Sequence, residues 1–342
     1  IRRFGPNNLG RGPWGATAST TVVGAIRILN VERASECLHG PTAAHLDQLA
    51  ETIKSRLALH TPNDVLVREV PRPSGPGSGG DVVVVGQPGR SRTTAELLGT
   101  AAGLAEKIGG RTVLSIDIVD DWEALSGQGA DRVLRHAGVS AADEVAQLLI
   151  EFFGKPSGLQ SKGVPPWAIL APSTAWGREV AARLATRLRA GLTGDVVGLE
   201  TRDGRLVALK PAFGGRLVAE ITCTSDTQMA TVRPGVLPLL TSRPSGPFSS
   251  DHLSGTSENR LVTVLERRRD DDSDLLATAE VVVSIGQGVN PADLPLVEQL
   301  ANRLGAELCA TRKVTDAGWL PRARQVGITG HIIAPQLCIA IG

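Results

Sequence analysis

The stretch of sequence that most constrains the fold of this chain is its last one, residues 277–342. It opens with an apolar run, Ala279–Ser284, that predicts a strand. From Leu294 to Leu304 apolar residues recur at intervals of one, three and four, which predicts an amphipathic helix ended by a glycine. Further apolar runs cover residues 306–310 and 337–342. Strand, helix and strand in this order predict a parallel βαβ unit.

A parallel sheet binds ligands outside the carboxyl ends of its strands, so the residues that follow each strand are candidate site residues. Three such ends can be identified here: Ile285–Val289, Thr311–Arg312 and Gly342. We expect all three to converge on one crevice.

Four motifs in this stretch resemble the electron transfer flavoprotein alpha subunit, whose pattern is approximately VVVSGGRGL, SR..VDAG, QVGQTG and a strand ending in glycine. The corresponding segments here are Val281–Val289, Thr311–Gly318, Gln325–Gly330 and Leu337–Gly342. In that family this domain holds FAD, and the family continues past this point with a phosphate loop. The resemblance therefore implies a Rossmann-like FAD domain that is incomplete at Gly342.

The resemblance also implies a set of cofactor-binding residues: Gln287, Thr311, Arg312, Gln325, Val326, Gly327, Ile328 and Thr329. Arg312 is expected over the isoalloxazine ring, because a guanidinium stays charged and stacks on planar rings. The Thr329 hydroxyl is expected at the flavin N5, with Gly327 allowing the backbone to come close. Gln325 and Asp316 are expected to hold the loop together.

Three of these positions depart from the family pattern. Gln287 replaces an arginine, so one positive charge for the cofactor phosphates is missing. Thr311 replaces a serine, and Ile328 replaces a glutamine. These departures keep open a second interpretation, a protein of the same fold that has lost tight flavin binding.

Before this stretch, strands and helices alternate and predict a parallel sheet covered on both faces. The predicted strands are Asp81–Gly86, Thr112–Ile116, Gly129–Val133 and Trp167–Leu170, and the predicted helices are Thr93–Lys107, Ala141–Phe153 and Ala175–Leu188. Three later runs, between residues 196 and 223, are separated by glycine-containing turns that predict antiparallel hairpins.

This region resembles the N-terminal domain of the same alpha subunit, through Thr174–Glu179, Gly191–Asp195, Lys210–Gly215 and Gln228–Gly235. The resemblance implies an adenine-nucleotide-hydrolase-like fold that contacts the beta subunit and does not hold FAD. Two arginines in these motifs, at positions 178 and 233, are candidates for an anion site or for structural ion pairs.

Residues 1–70 contain one predicted strand, Thr20–Leu29, and one amphipathic helix, His45–Leu59. They resemble the C-terminal arm of the electron transfer flavoprotein beta subunit, with an unrelated amphipathic extension as the alternative. Pro71–Gly80 has the composition of a linker. We therefore expect part of a beta–alpha fusion, and an arm that packs across the alpha-like domains.

The predicted fold class is α/β, with two doubly wound parallel-sheet domains. The predicted boundaries are 1–70 for the arm, 71–80 for the linker, 81–273 for the N-terminal alpha domain and 274–342 for the FAD domain. Two polar segments, Ser242–Ser257 and Glu266–Asp274, are predicted to be solvated loops.

A net charge of +1 gives no electrostatic reason to expect nucleic acid. The four cysteines form no CxxC pair, and three lie in apolar runs, which favours buried free thiols in a reducing compartment, here the cytoplasm. The sequence has no Ser-His-Asp arrangement and no HExxH, so neither catalytic nor metal-binding residues are predicted. Three isolated histidines, His136, His252 and His331, are predicted to face solvent, and His331 is also a candidate cofactor contact.

The resemblance implies an electron carrier rather than a substrate-converting enzyme, with FAD as its cofactor. Its implied partners are a beta subunit or fused beta half, flavin-containing dehydrogenases and a membrane quinone oxidoreductase. The alternatives are the non-redox scaffold and a dinucleotide-dependent dehydrogenase. The absence of GxGxxG between a strand and a helix disfavours the dehydrogenase.

Overall fold

A computed structural model describes residues 18–28, 37, 39, 42–59, 68–72, 79–117, 121–154, 165–213, 217–246, 249–253, 265–266, 275–276, 279–327, 330–331, 333 and 335–342. The strands are β1 Thr21–Ile28, β2 Asp81–Val85, β3 Arg111–Ile116, β4 Arg132–Arg135, β5 Ala168–Pro172, β6 Gly191–Val196, β7 Gly198–Arg202, β8 Arg205–Ala212, β9 Leu217–Cys223, β10 Gln228–Val232, β11 Ser249–His252, β12 Val281–Ile285, β13 Glu307–Ala310 and β14 Leu337–Ile341. The helices are α1 Thr42–Leu59, α2 Ser91–Ile108, α3 Trp122–Gly127, α4 Ala142–Gly154, α5 Ala175–Leu188, α6 Leu294–Leu304 and α7 Arg312–Asp316.

The largest sheet within the described residues has the strand order β11-β4-β3-β2-β5-β10-β6, and its pairs are parallel. The valines of β2 alternate between two cores, so that strand is buried on both faces. Val82 and Val84 pack towards α2, whereas Val83 and Val85 pack towards α4 and α5. The predicted α/β fold class, with parallel sheets, is confirmed.

The order of the strands reverses direction at β2. The chain runs outward from β2 through β3 to β4, and then returns to place β5 on the other side of β2. The carboxyl ends of β2 and β5 therefore mark the switch point, the position at which doubly wound sheets bind ligands.

A smaller antiparallel sheet has the order β1-β9-β8-β7 in the described part of the chain. The predicted hairpins are confirmed, with β7 joined to β8 through Asp203-Gly204. Strand β1 from the predicted arm pairs antiparallel with β9, and Arg27 on β1 forms an ion pair with the buried carboxylate of Glu220 on β9. The arm segment 21–28 thus packs on the alpha-like region, as expected.

The prediction of a solvated loop over Ser242–Ser257 is wrong for its first part. Strand β11 pairs parallel with β4 and extends the large sheet, although its four residues, SSDH, carry no apolar pattern. The Arg243 side chain is 6% exposed. Residues 254–257 and 267–274 lie outside the described residues.

Two other features differ from their predictions. Strand β4 begins at Arg132 rather than at Gly129, because residues 129–131 connect α3 to the sheet. Of the cysteines, Cys223 and Cys309 are buried, whereas Cys37 and Cys338 are exposed. Among the described residues, no helix combines the length and apolar character that crossing a bilayer requires.

His136 was predicted to face solvent, but it is fully buried where the chain leaves β4. Its Nδ1 atom lies 2.7 Å from the carbonyl oxygen of Val139, and its buried Nε2 atom has no hydrogen-bond partner among the described residues. Burial lowers the pKa of His136 below 6.5, and the Val139 carbonyl and the Asp117 carboxylate oppose that shift only in part.

This shift predicts a loss of stability in mild acid. The unfolded chain takes up a proton at His136 near pH 6.5, whereas the folded chain takes it up only at lower pH. The free energy of unfolding should therefore fall as the pH drops below 6.5. Urea unfolding at pH 7.5 and 5.5 measures this, and His136→Asn, which keeps a donor near the Val139 carbonyl, should reduce the difference. An equal pH difference in both proteins would contradict the prediction.

Candidate functional site

The last sheet brings three strand ends to the same level. Strand β12 lies between β13 and β14 and is parallel to both. Its final residue, Ile285, is in register with Ala310 on one side and with Ile341 on the other. The carboxyl ends therefore meet at one edge, as the sequence predicted.

The glycines after β12 and β14 allow their backbones to pack closely at this edge. The Gly286 N–H donates to the carbonyl oxygen of Ile341 at 2.8 Å, and a Cβ at Gly286 would overlap the carbonyl of Gly342. Gly342 has φ +91, and a Cβ there would lie 2.7 Å from the nitrogen of Val289. Side chains are excluded at these positions because neighbouring backbone already fills the space, so glycine lets the ends of β12 and β14 pack directly against each other.

Helix α7 begins directly at the end of β13. The Thr311 N–H donates to the carbonyl oxygen of Ile285 at 3.0 Å, which fixes the start of the helix against β12. The Nε atom of Arg312 donates to Asp316 Oδ2 at 3.1 Å, one helical turn away. The two side chains are 59% and 47% exposed. Asp316 pairs with Arg312, and its expected part in holding the neighbouring loop stays a prediction.

The segment Gln325–His331, here called the crevice loop, is fastened to β13. The Val326 N–H donates to the carbonyl of Ala310 at 2.9 Å. The loop closes on itself, with His331 N–H donating to the Gln325 carbonyl at 2.7 Å and Gly327 N–H donating to the His331 carbonyl at 3.1 Å. Gly327 has φ +105, a conformation that glycine adopts readily.

The eight predicted cofactor-binding residues have different surroundings. Gln287, Thr311, Arg312 and Gly327 are exposed, Val326 is half-buried, and Gln325 is 1% exposed. The Gln325 side chain therefore supports the crevice loop from within. Ile328 and Thr329 lie outside the described residues. Strand topology thus brings Gln287, Thr311 and Arg312 to one edge of the sheet.

Two supporting residues were missed by the sequence analysis. Arg324 forms an ion pair with Glu307 and also donates to the carbonyl of Leu308 at 3.4 Å, which anchors the start of the crevice loop to β13. Thr315 contacts the buried Gln325 side chain. Neither residue is part of a sequence motif that would identify its role. Each contact joins two segments that come together only in the folded protein.

The switch-point crevice of the large sheet is closed by the protein's own side chains. Thr174 Oγ1 donates to Gln87 Oε1 at 2.7 Å, directly across the crevice. Nearby, Asp195 accepts from Arg233 at 2.6 Å and from Arg178 at 3.2 Å. The two arginines therefore form ion pairs with Asp195, as one of the two interpretations predicted, and the anion site stays a prediction.

The environment of Asp195 keeps its carboxylate charged between the two arginines. Burial raises the pKa of Asp195, but hydrogen bonds from Arg233 and Ser173 outweigh burial and leave the pKa below its ordinary value. Its carboxylate is therefore ionised at neutral pH and matched by its own arginines. Across the described residues, no group of three or more His, Cys, Asp or Glu side chains could hold a metal ion.

The fold is that of an α/β protein whose last sheet gathers three parallel strand ends at one edge. Comparison with known families gives this class a name. Residues 84–250 match the model of the electron transfer flavoprotein domain, and residues 275–342 match the model of the electron transfer flavoprotein FAD-binding domain.

Curated relatives agree with the family models. The chain is 33% identical over 258 residues to the electron transfer flavoprotein subunit alpha of Thermoanaerobacterium thermosaccharolyticum, a match that covers 72% of this chain and 76% of that protein. It is 40% identical over 184 residues to Protein FixB of Rhizobium meliloti, covering 52% of each. It is 32% identical over 258 residues to the lactate dehydrogenase (NAD(+),ferredoxin) subunit LctC of Acetobacterium woodii, covering 73% of this chain and 60% of that protein.

The chain belongs to the electron transfer flavoprotein alpha-subunit family. It spans from about half to three quarters of the length of these three relatives. The expectation of FAD agrees with the family model, because the last sheet lies in the part matched by an FAD-binding domain. The two matched models begin at residue 84, so the resemblance of residues 1–70 to a beta-subunit arm stays a prediction.

Proposed function

We propose that this protein is an FAD-dependent electron carrier that accepts electrons from dehydrogenases and passes them to a downstream acceptor. One observation carries the proposal. The strands that precede Gln287, Thr311 and Arg312 end in register at one edge of the last sheet, within the part of the chain that matches an FAD-binding domain.

The groups at this edge fit the ring of a flavin. A bound flavin takes up and gives up electrons one at a time and so develops negative charge, which a nearby cation or hydrogen-bond donor stabilises. Arg312 supplies a cation, and the Thr311 hydroxyl and Gln287 amide supply exposed polar groups. Gly286 and Gly342 pack backbone against backbone and so hold the ends of β12 and β14 together at this edge.

Within this site the residues have separate roles. Arg312 would hold positive charge beside the ring, and the pair with Asp316 keeps the guanidinium on the first turn of α7. Thr329 would donate its hydroxyl to the ring, on the crevice loop that Gln325 supports. Ile328 and Val326 would provide apolar contact, and Gly327 close backbone approach.

We further propose the assembly in which this carrier works. The supporting observations are the alpha-subunit and FixB relatives and the arm strand β1 docked on β9. The partners would be an electron transfer flavoprotein beta subunit or a fused beta half, flavin-containing dehydrogenases and a membrane quinone oxidoreductase. The protein would work in the cytoplasm. Its two alpha-subunit domains would comprise residues 81–273 and 274–342.

The test is the visible spectrum of the purified full-length protein. We expect a yellow protein that releases FAD on denaturation, identified by chromatography against an FAD standard. A full-length protein that is colourless and stays colourless after incubation with FAD would overturn the carrier function. That result would favour the second candidate, a non-redox scaffold, which the uncharged Gln287 at the position of a family arginine supports.

A further inference from the structure

The proposed site is built from two segments, helix α7 and the crevice loop. Arg312 lies on the short helix α7, whereas Thr329 belongs to the crevice loop. A ring that both residues contact would require a fixed distance between helix and loop. The connection between them is therefore a candidate control point for the site.

Thr315 provides a direct connection. Its Oγ1 atom lies 2.8 Å from Gln325 Oε1 and 2.9 Å from the carbonyl oxygen of Arg312. A hydroxyl has one proton, so it donates to one of these oxygens at a time. One half-buried side chain thus joins the residue that carries the cation to the residue that begins the crevice loop.

Gln325 transmits this contact to the loop because it is held on several sides. Its side chain is buried, and its carbonyl accepts from the His331 N–H at 2.7 Å. Gly330 packs so closely on Gln325 that a Cβ there would overlap the Gln325 carbonyl. A displacement of Gln325 would therefore be passed on to Gly330 and His331, which contact it directly.

We propose that Thr315 is a positioning residue that sets the crevice loop relative to Arg312 and thereby tunes FAD affinity and the flavin potential. The proposal rests on the proposed function, since it concerns the same site. Thr315 need not touch the cofactor, because its effect passes through Gln325 and through the backbone of α7.

Two matched substitutions separate the hydroxyl from the shape of the side chain. Thr315→Val keeps the β-branched shape and removes the hydroxyl, whereas Thr315→Ser keeps the hydroxyl. In full-length protein with FAD, we expect Thr315→Val to raise the Kd for FAD about 3- to 10-fold, the effect of one net hydrogen bond. We also expect a changed one-electron potential, with Thr315→Ser restoring both values towards wild type.

A second measurement does not need the cofactor. Hydrogen exchange of the flavin-free protein should be faster at the Gly327 and His331 amides in Thr315→Val than in wild type or Thr315→Ser. Unchanged exchange, or equal impairment by valine and serine, would overturn the role of Thr315. A wild-type protein that binds no FAD would instead refute the proposed function, together with the flavin-dependent part of this proposal.

Discussion

Replacing Arg243 by methionine is expected to lower the free energy of unfolding by about 3–5 kcal/mol, the cost of removing one partner from a buried ion pair. Arg243 and Asp131 are 6% and 16% exposed, and their side chains meet at 2.7 Å. The same guanidinium also donates to the carbonyl oxygens of Ser126 and Pro71. The substitution would leave a largely buried carboxylate without its cation.

The size of this effect follows from what Arg243 joins. Asp131 accepts from the Thr112 N–H on β3, so the pair is part of the large sheet. Pro71 lies beside Val70, whose N–H donates to the Thr241 carbonyl. One side chain therefore fastens the segments around residues 70 and 241 to the sheet.

Chemical unfolding of three variants would measure the effect. Arg183→Met is the matched control, because Arg183 forms an exposed pair with Glu179 on α5 and its loss should cost about 0.5 kcal/mol or less. Combining Arg243→Met with Asp131→Asn should recover part of the loss, since the unpaired charge is then removed. A cost for Arg243→Met as small as that of the control would contradict the buried pair.

Arg243 also illustrates why part of the fold could not be predicted. Its segment is rich in serine, glycine and proline, a composition that normally indicates a solvated loop. Its partner is 112 residues away in the sequence, so no local pattern links them. Strand β11 was missed for the same reason, because it is a polar edge strand defined only by its pairing with β4.

Elements with strong local patterns were predicted closely. Helices α5 and α6 occupy the predicted residues, 175–188 and 294–304. The buried valines of β2 and β12 identified strands, because central parallel strands are apolar on both faces. The convergence of three strand ends was also predictable, since it follows from parallel order alone.

The supporting contacts of the site were less accessible to sequence reasoning. Arg312 could be identified from its motif. Its pairing with Asp316 could not, because several acidic partners are possible in the sequence and only the folded structure shows which one it contacts. The contact between Thr315 and Gln325 depends on how a short helix meets a returning loop. Residues that would touch the ligand were therefore easier to name than those that hold them.

Replacing Arg312 by alanine is expected to lower the potential of the first one-electron reduction of bound flavin by tens of millivolts or more. A charge near a partly buried ring acts through a lower effective dielectric than in water, and about 1–3 kcal/mol is expected for its loss. A change of 1.4 kcal/mol corresponds to about 59 mV in a one-electron step. The fold should remain intact, because Arg312 is exposed and its pair with Asp316 is a surface pair.

Potentiometric titration of the full-length protein with FAD bound would measure this shift. Arg312→Lys should recover part of it, since lysine keeps the charge but loses the planar guanidinium that stacks on a ring. Lys313→Ala removes the same charge from the next residue of α7, which is also exposed, and should shift the potential less. Equal potentials for wild type and Arg312→Ala, with FAD bound in both, would exclude Arg312 from this role. The crevice would then have to stabilise reduced flavin through neutral donors such as Thr311, because Gln287 supplies no charge.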